Sequence, residues 1–223
     1  YIISNNQSAV NIMEVFAMFR LSDWSNPTVD IVPLFETVSD LENAESVMKA
    51  VYQNKNYRNH LSKRNNEQTI MLGFSDGTKD GGYLMANWSI LKAKESLTTI
   101  SRKFGVKVIF FDGRGGPPAR GGGNTNKFYA SLGDFVESDQ IQMTVQGQTI
   151  SSNFGTIDSC QYNLEQLLSA GIQNRVLNYK DNNITIYEKK LLSKLAQISY
   201  DAYSEFKNHP KFIPYLENMT TIK

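Results

Sequence analysis

The strongest constraint on this chain is an alternation. Four short apolar runs occur, Tyr1–Ser4, Asp30–Glu36 (DIVPLFE), Thr69–Asp76 (TIMLGFSD) and Val106–Asp112 (VKVIFFD). Each is rich in Ile, Val, Leu or Phe and has about the length of a buried strand. Near-continuous apolarity suits strands covered on both faces, as in parallel sheets. The intervals carry helical periodicity. Residues 7–20 place Val10, Met13, Phe16 and Phe19 on one stripe, and residues 83–104 do the same with Leu84, Trp88, Leu91, Leu97 and Ile100. Residues 39–53 open with Ser39 and Glu42 in capping-box spacing, and Gly105 stands where a helix C-terminus favours glycine. Strand, helix, strand, helix, strand, helix, strand is an α/β layout with right-handed parallel crossovers.

After Gly123 the character changes. A short helix is expected over 126–136, a short strand and turn over 141–150, and helices over 158–172 and 185–207. The last of these opens with a Thr185/Glu188 capping box and ends at His209-Pro210. No element is expected in the tail 213–223. The division expected is a strand/helix portion, 1–150, and a mainly helical continuation, 151–223.

Composition excludes several classes. At 223 residues and 40% apolar, the chain can build a real core. A net charge of +1 argues against a general electrostatic nucleic-acid binder. No run of about 18 apolar residues occurs, so no membrane span is expected. The single Cys160 cannot staple a fold, and a reduced, cytoplasmic setting is the expectation. The chain opens on Tyr1-Ile2-Ile3-Ser4, which reads as a strand already under way. A piece of a longer chain is therefore expected.

Three runs end in polar groups: Glu36; Asp76, with Lys79 and Asp80 beyond; and Asp112, with Gly113-Arg114 beyond. Parallel strands bring such ends to one face, where sites are built. The bland alternative is that the acids cap the following helices. Glu36 and Asp76 suit a hard cation such as magnesium, held by one or two carboxylates plus water and substrate oxygens. The loop Gly113–Gly123 (GRGGPPARGGG) holds six of the 15 glycines. Its backbone N–H groups can approach an anion closely, and Arg114 and Arg120 add fork-shaped donors for phosphate or carboxylate. An RGG-type RNA-binding segment and a purely structural glycine loop are the competing readings. His60 and His209 read as surface or helix-end residues. Trp24, Trp88 and the aromatic segment 198–206 read as packing groups.

Three blocks resemble the phosphoenolpyruvate carboxylase family. They are Val32–Glu36 (VPLFE), Met71–Gly82 (MLGFSDGTKDGG), which is similar to the family's lysine signature, and Phe111–Gly123 (FDGRGGPPARGGG), which is similar to its glycine-rich loop. Met143–Gly147 (MTVQG) is a weaker fourth block. The resemblance implies part of a (β/α)8 TIM-type barrel with additional helices. It implies carboxylation of phosphoenolpyruvate by bicarbonate to oxaloacetate and phosphate, feeding the tricarboxylic acid cycle. It implies Mg2+ or Mn2+ held by Glu36 and Asp76, and catalytic roles for Lys79, Arg114 and Arg120. A homotetrameric parent and inhibition by aspartate follow from the same resemblance. The chain also departs from the pattern. Asp112 stands where the family usually has His, Gly77 where it has Ser, Gly81 where Ala is common, and Val145 and Gln148 where acids are usual. Asp112 is expected to alter bicarbonate handling or to serve as an extra metal carboxylate. The departures also leave a second reading, a non-catalytic anion-binding or interaction module on a degenerate barrel. An isolated piece is expected to lack turnover.

Overall fold

The computed structural model describes residues 1–116, 122–176 and 184–219. Five strands form one sheet, β1 (Ile2–Ile3), β2 (Val32–Phe35), β3 (Glu67–Gly73), β4 (Lys107–Gly113) and β5 (Ile141–Met143). All neighbours are parallel, and the spatial order is the sequence order. A doubly wound sheet reverses its strand order, whereas a barrel sets each strand beside its sequence neighbour. The sheet is open between β1 and β5, so the expected barrel is met only as far as five consecutive parallel strands.

The crossovers are α1 (Ala9–Leu21) from β1 to β2, then α2 (Val38–Gln53) and α3 (Lys55–Ser62) from β2 to β3, and α4 (Phe74–Lys103) from β3 to β4. From β4 the chain reaches β5 through α5 (Thr125–Ala130), and α6 (Gln148–Phe154), α7 (Ile157–Val176), α8 (Ile186–Lys207) and α9 (Phe212–Met219) follow. Three expectations need correction, and a fourth is met in part. The tail is helical in α9. Over 141–150 the short strand and turn are present, with the strand at Ile141–Met143, and only the last three residues differ, because they open α6. The cap of α2 is Thr37 rather than Ser39, because the Thr37 hydroxyl accepts from Asp40 N–H and the Asp40 carboxylate accepts from Thr37 N–H. The third apolar run stops being a strand at Gly73, so Asp76 sits in the first turn of α4. The Thr185/Glu188 box and the left-handed Gly105 (φ 64°) after α4 are present as expected.

The core lies between the sheet and its helices. Phe35, Ile70, Leu72, Val108 and Phe110 meet Ile12 and Phe16 of α1, Met48, Val51 and Tyr52 of α2, and Ile90, Ala93 and Leu97 of α4. Strand residues alternate between faces, and register partners in a parallel pair share a face. Phe35 pairs with Leu72, and Leu72 with Asp112, so Asp112 follows Val108 and Phe110 toward the helices. Met71 and Phe111 share the other face with Leu34. A second cluster joins α4 to α8 through Met85, Trp88 and Ala196, with Val38. His60, read as a surface or helix-end residue, does lie at a helix end, in the last turn of α3, but it is only 6% exposed and packs on Phe16 and Tyr57.

Candidate active site

The C-terminal ends of β2, β3 and β4 gather most of the residues singled out above. Glu36 follows β2 directly, and its Oε2 accepts the Asn5 N–H at 3.0 Å. The β3–α4 corner presses against it. A Cβ on Gly73 would lie 3.1 Å from Glu36 Cγ, and one on Gly77 would lie 3.1 Å from the Glu36 carbonyl. Gly77 therefore lets the turn bearing Asp76 and Lys79 approach the end of β2 closely. In that turn Lys79 Nζ donates to Asp76 Oδ1 at 2.8 Å, with both side chains more than half exposed. The next residue, Asp80, accepts the Val38 N–H at 3.0 Å through Oδ2 and so helps cap α2.

The glycine loop leaves β4 against the end of β5. A Cβ on Gly115 would lie 2.1 Å from the Thr144 carbonyl, a backbone atom, so only glycine fits. Gly115 N–H donates to Thr144 Oγ1 at 3.2 Å, and Gln146 N–H donates to the Gly115 carbonyl at 3.3 Å. The fourth sequence block is thus the wall on which the loop leans.

Arg114 is 7% exposed. Its guanidinium carbon lies 4.3 Å from the Phe128 ring centroid, and Nη1 and Nη2 donate to the Gly123 and Gly122 carbonyls at 3.3 and 3.4 Å. Its Nε has no partner among the described residues. Burial pulls the Arg114 pKa below its ordinary value. An arginine so placed does not present itself to RNA, which removes the RGG reading at this position. Arg114 lines a cavity of about 400 Å³ over the ends of β4 and β5, together with Gly115, Thr125, Thr144, Val145 and Asn163. Arg120 and the Gln148 side chain lie outside the described residues.

Asp112 does not join Glu36 and Asp76. Its side chain is fully buried on the helix side, where Oδ2 accepts from Lys94 Nζ at 2.8 Å and from the Tyr129 hydroxyl at 2.8 Å. The expected extra metal carboxylate is instead the counter-ion of a lysine that is 1% exposed. Lys94 Nζ also lies over the rings of Phe110, Phe128 and Tyr129, at 5.0, 5.3 and 5.8 Å. Burial lowers the Lys94 pKa while Asp112 opposes that shift. Burial is also the main reason the Tyr129 phenol is held far above its ordinary range, with Asp112 adding to it. Phe128 thus supports both Lys94 and Arg114, joining the buried pair to the loop arginine.

Sequence reasoning passed over Lys94, Phe128 and Tyr129. One signal was available: Lys94 sits on the buried stripe of α4 between Ile90 and Leu97, where an ammonium needs a counter-ion.

Glu36 and Asp76 offer hard oxygen donors at adjacent strand ends. Among the described residues no group of three or more His, Cys, Asp or Glu forms a complete metal cage. Carboxylates are the donor type that a hard cation takes alongside water and substrate oxygens. No helix among the described residues is long and apolar enough to cross a membrane. The family model for phosphoenolpyruvate carboxylase matches residues 1–223, the whole sequence. The chain therefore belongs to the phosphoenolpyruvate carboxylase family.

Proposed function

We propose that this chain supplies part of the active site of an enzyme that joins phosphoenolpyruvate and bicarbonate to give oxaloacetate and phosphate, on a (β/α)8 barrel. The observation that carries the reading is Arg114, a buried guanidinium stacked on Phe128 and lining the cavity at the ends of β4 and β5. Low exposure strengthens its attraction for an anion, and the stacked ring fixes the plane of its donors. The substrate carries both a phosphate and a carboxylate.

In this reading a bicarbonate oxygen attacks the phosphorus. The bridging P–O bond breaks, and its electron pair passes to the enolate of pyruvate. The carboxyphosphate formed then divides into phosphate, which keeps the proton, and carbon dioxide, which the enolate carbon captures. Glu36 and Asp76 would hold Mg2+ or Mn2+, which when bound supplies electrophilic stabilisation of developing negative charge. Arg114 binds the anionic substrate. Lys79, exposed beside Asp76, adds a cation at the edge of the site. Arg120 belongs to the same loop and is assigned to the phosphate side by the family resemblance. The loop that begins at Gly115 excludes water, since a proton delivered to the enolate would divert it to pyruvate.

Asp112 does not support the alternative of a degenerate, non-catalytic module. Its carboxylate faces the helices and is neutralised there by Lys94, so it adds no negative charge among the site acids. The test is oxaloacetate formation, coupled to NADH oxidation by malate dehydrogenase, in the complete protein that carries this chain. Arg114→Gln is expected to raise KM for phosphoenolpyruvate by roughly tenfold or more, the scale of a lost charge-assisted hydrogen bond. A wild-type protein that binds phosphoenolpyruvate and makes no oxaloacetate would favour the non-catalytic module.

A further inference from the structure

Helix α4 is not continuous. At Gly82 the backbone turns to φ 77° and ψ 166°, which breaks the helix after the turn that carries Asp76, Lys79 and Asp80. A helix end leaves carbonyls without intrahelical donors. Here donors arrive from α8, more than 120 residues away in sequence. The Tyr203 hydroxyl donates to the Lys79 carbonyl at 2.9 Å. Lys207 Nζ donates to the Asp80 carbonyl at 2.8 Å and to the Lys79 carbonyl at 3.4 Å. The Lys207 ammonium also sits at the end of the helical turn where a cation complements the peptide dipoles.

The two glycines are shaped to this contact. A Cβ on Gly82 would lie 3.2 Å from Tyr203 Cγ, and one on Gly81 would lie 3.4 Å from Tyr200 Cδ2 and 2.6 Å from Val38 Cγ2. An alanine at 81 would have to displace Val38. From the opposite side Asp80 Oδ2 ties the turn to the start of α2. The side chains of Asp76 and Lys79 are 51% and 63% exposed, so burial does not fix them. Their positions follow from the backbone of the turn.

We propose that Tyr203 and Lys207 are positioning residues. By capping the carbonyls of Lys79 and Asp80, they set where Asp76 and Lys79 stand over the ends of β2 and β3. This rests on the reading of Asp76 as a metal ligand in the proposed reaction.

The test measures Mn2+ binding by electron paramagnetic resonance, without substrate, in the complete protein carrying Tyr203→Phe, Lys207→Met or Lys207→Arg. Oxaloacetate formation is followed in parallel. Loss of a partner that orients a ligand typically weakens metal binding by roughly tenfold. Tyr203→Phe and Lys207→Met are expected to show that weakening with Tm nearly unchanged, while Lys207→Arg keeps a donor and stays near wild type. Wild-type Mn2+ affinity in both folded variants overturns the proposal, as does a wild-type protein that binds no Mn2+. If Mn2+ binds and weakens as expected but no oxaloacetate forms, the positioning role stands and the reaction fails. Normal turnover with unaltered Mn2+ affinity in the variants removes the positioning role and leaves the reaction standing.

Discussion

Replacing Lys94 by Met breaks the most deeply buried ion pair of the described residues. Asp112 then keeps one charge in a place with 0% exposure, with the Tyr129 hydroxyl as its one remaining side-chain donor among the described residues. Removing one partner of a buried pair costs about 3–5 kcal/mol, because the other charge remains desolvated. Methionine retains most of the apolar contact with Phe110, Phe128 and Tyr129, so the loss is mainly electrostatic. For a chain of this size ~1 kcal/mol corresponds to roughly 2–4 °C, so Tm should fall by roughly 6–20 °C. The assay is differential scanning calorimetry of wild type, Lys94→Met, Asp112→Asn and the double variant. Asparagine can still accept from Tyr129 and carries no charge to neutralise. The double variant should therefore recover at least ~2 kcal/mol relative to the sum of the singles. Additivity within ~0.5 kcal/mol would refute the pairing and with it the account of Asp112.

Two further outcomes follow from the packing. His60 is packed against Phe16 and Tyr57, and burial lowers its pKa from 6.5, with Arg64 adding to the shift, Asp30 opposing it and Lys63 adding least. Between pH 6.5 and that lower folded value, the unfolded chain binds a proton that the folded chain does not. Stability should therefore fall on acidification through this window, by no more than ~1.4 kcal/mol per pH unit from this residue. Urea midpoints from about pH 7.5 to about pH 5 should show a shallower slope for His60→Leu, and parallel curves would count against the assignment. Gly115→Ala forces a methyl onto the Thr144 carbonyl, so the loop must leave β5. Hydrogen exchange at residues 141–147 should rise and KM for phosphoenolpyruvate should increase several-fold, while Gly171→Ala, which meets nothing within 4 Å, should leave both unchanged.

Much of this arrangement could be read before the structure, for a physical reason. Parallel strands that follow one another leave their polar ends on one edge, so Glu36, Asp76 and Arg114 could be grouped from the runs that precede them. Which face each side chain takes could not be read the same way. The run VKVIFFD is apolar on both faces, and alternation carries no signal when both parities are hydrophobic. Only the register of Leu72 with Asp112 shows the carboxylate pointing at the helices. The grip of Tyr203 and Lys207 on the lysine turn was hidden by distance along the chain. Their i, i+4 spacing reads as helix packing, and only the kink at Gly82 creates the carbonyls they satisfy.

The departure at position 112 is better understood as half of a pair. A carboxylate there would be costly without Lys94, and a lysine on the buried stripe of α4 would be costly without Asp112. Tyr129 and Phe128, from the helix that follows the glycine loop, close around the pair, and Phe128 also stacks on Arg114. Exchanging Asp112 for His therefore does not test bicarbonate chemistry alone. It strands Lys94, disturbs the ring beneath Arg114, and should change substrate affinity through that route. Asp112→His combined with Lys94→Gln removes the stranded charge. If the double exchange restores KM for phosphoenolpyruvate toward wild type while the single exchange does not, position 112 acts through packing rather than through contact with the reacting atoms.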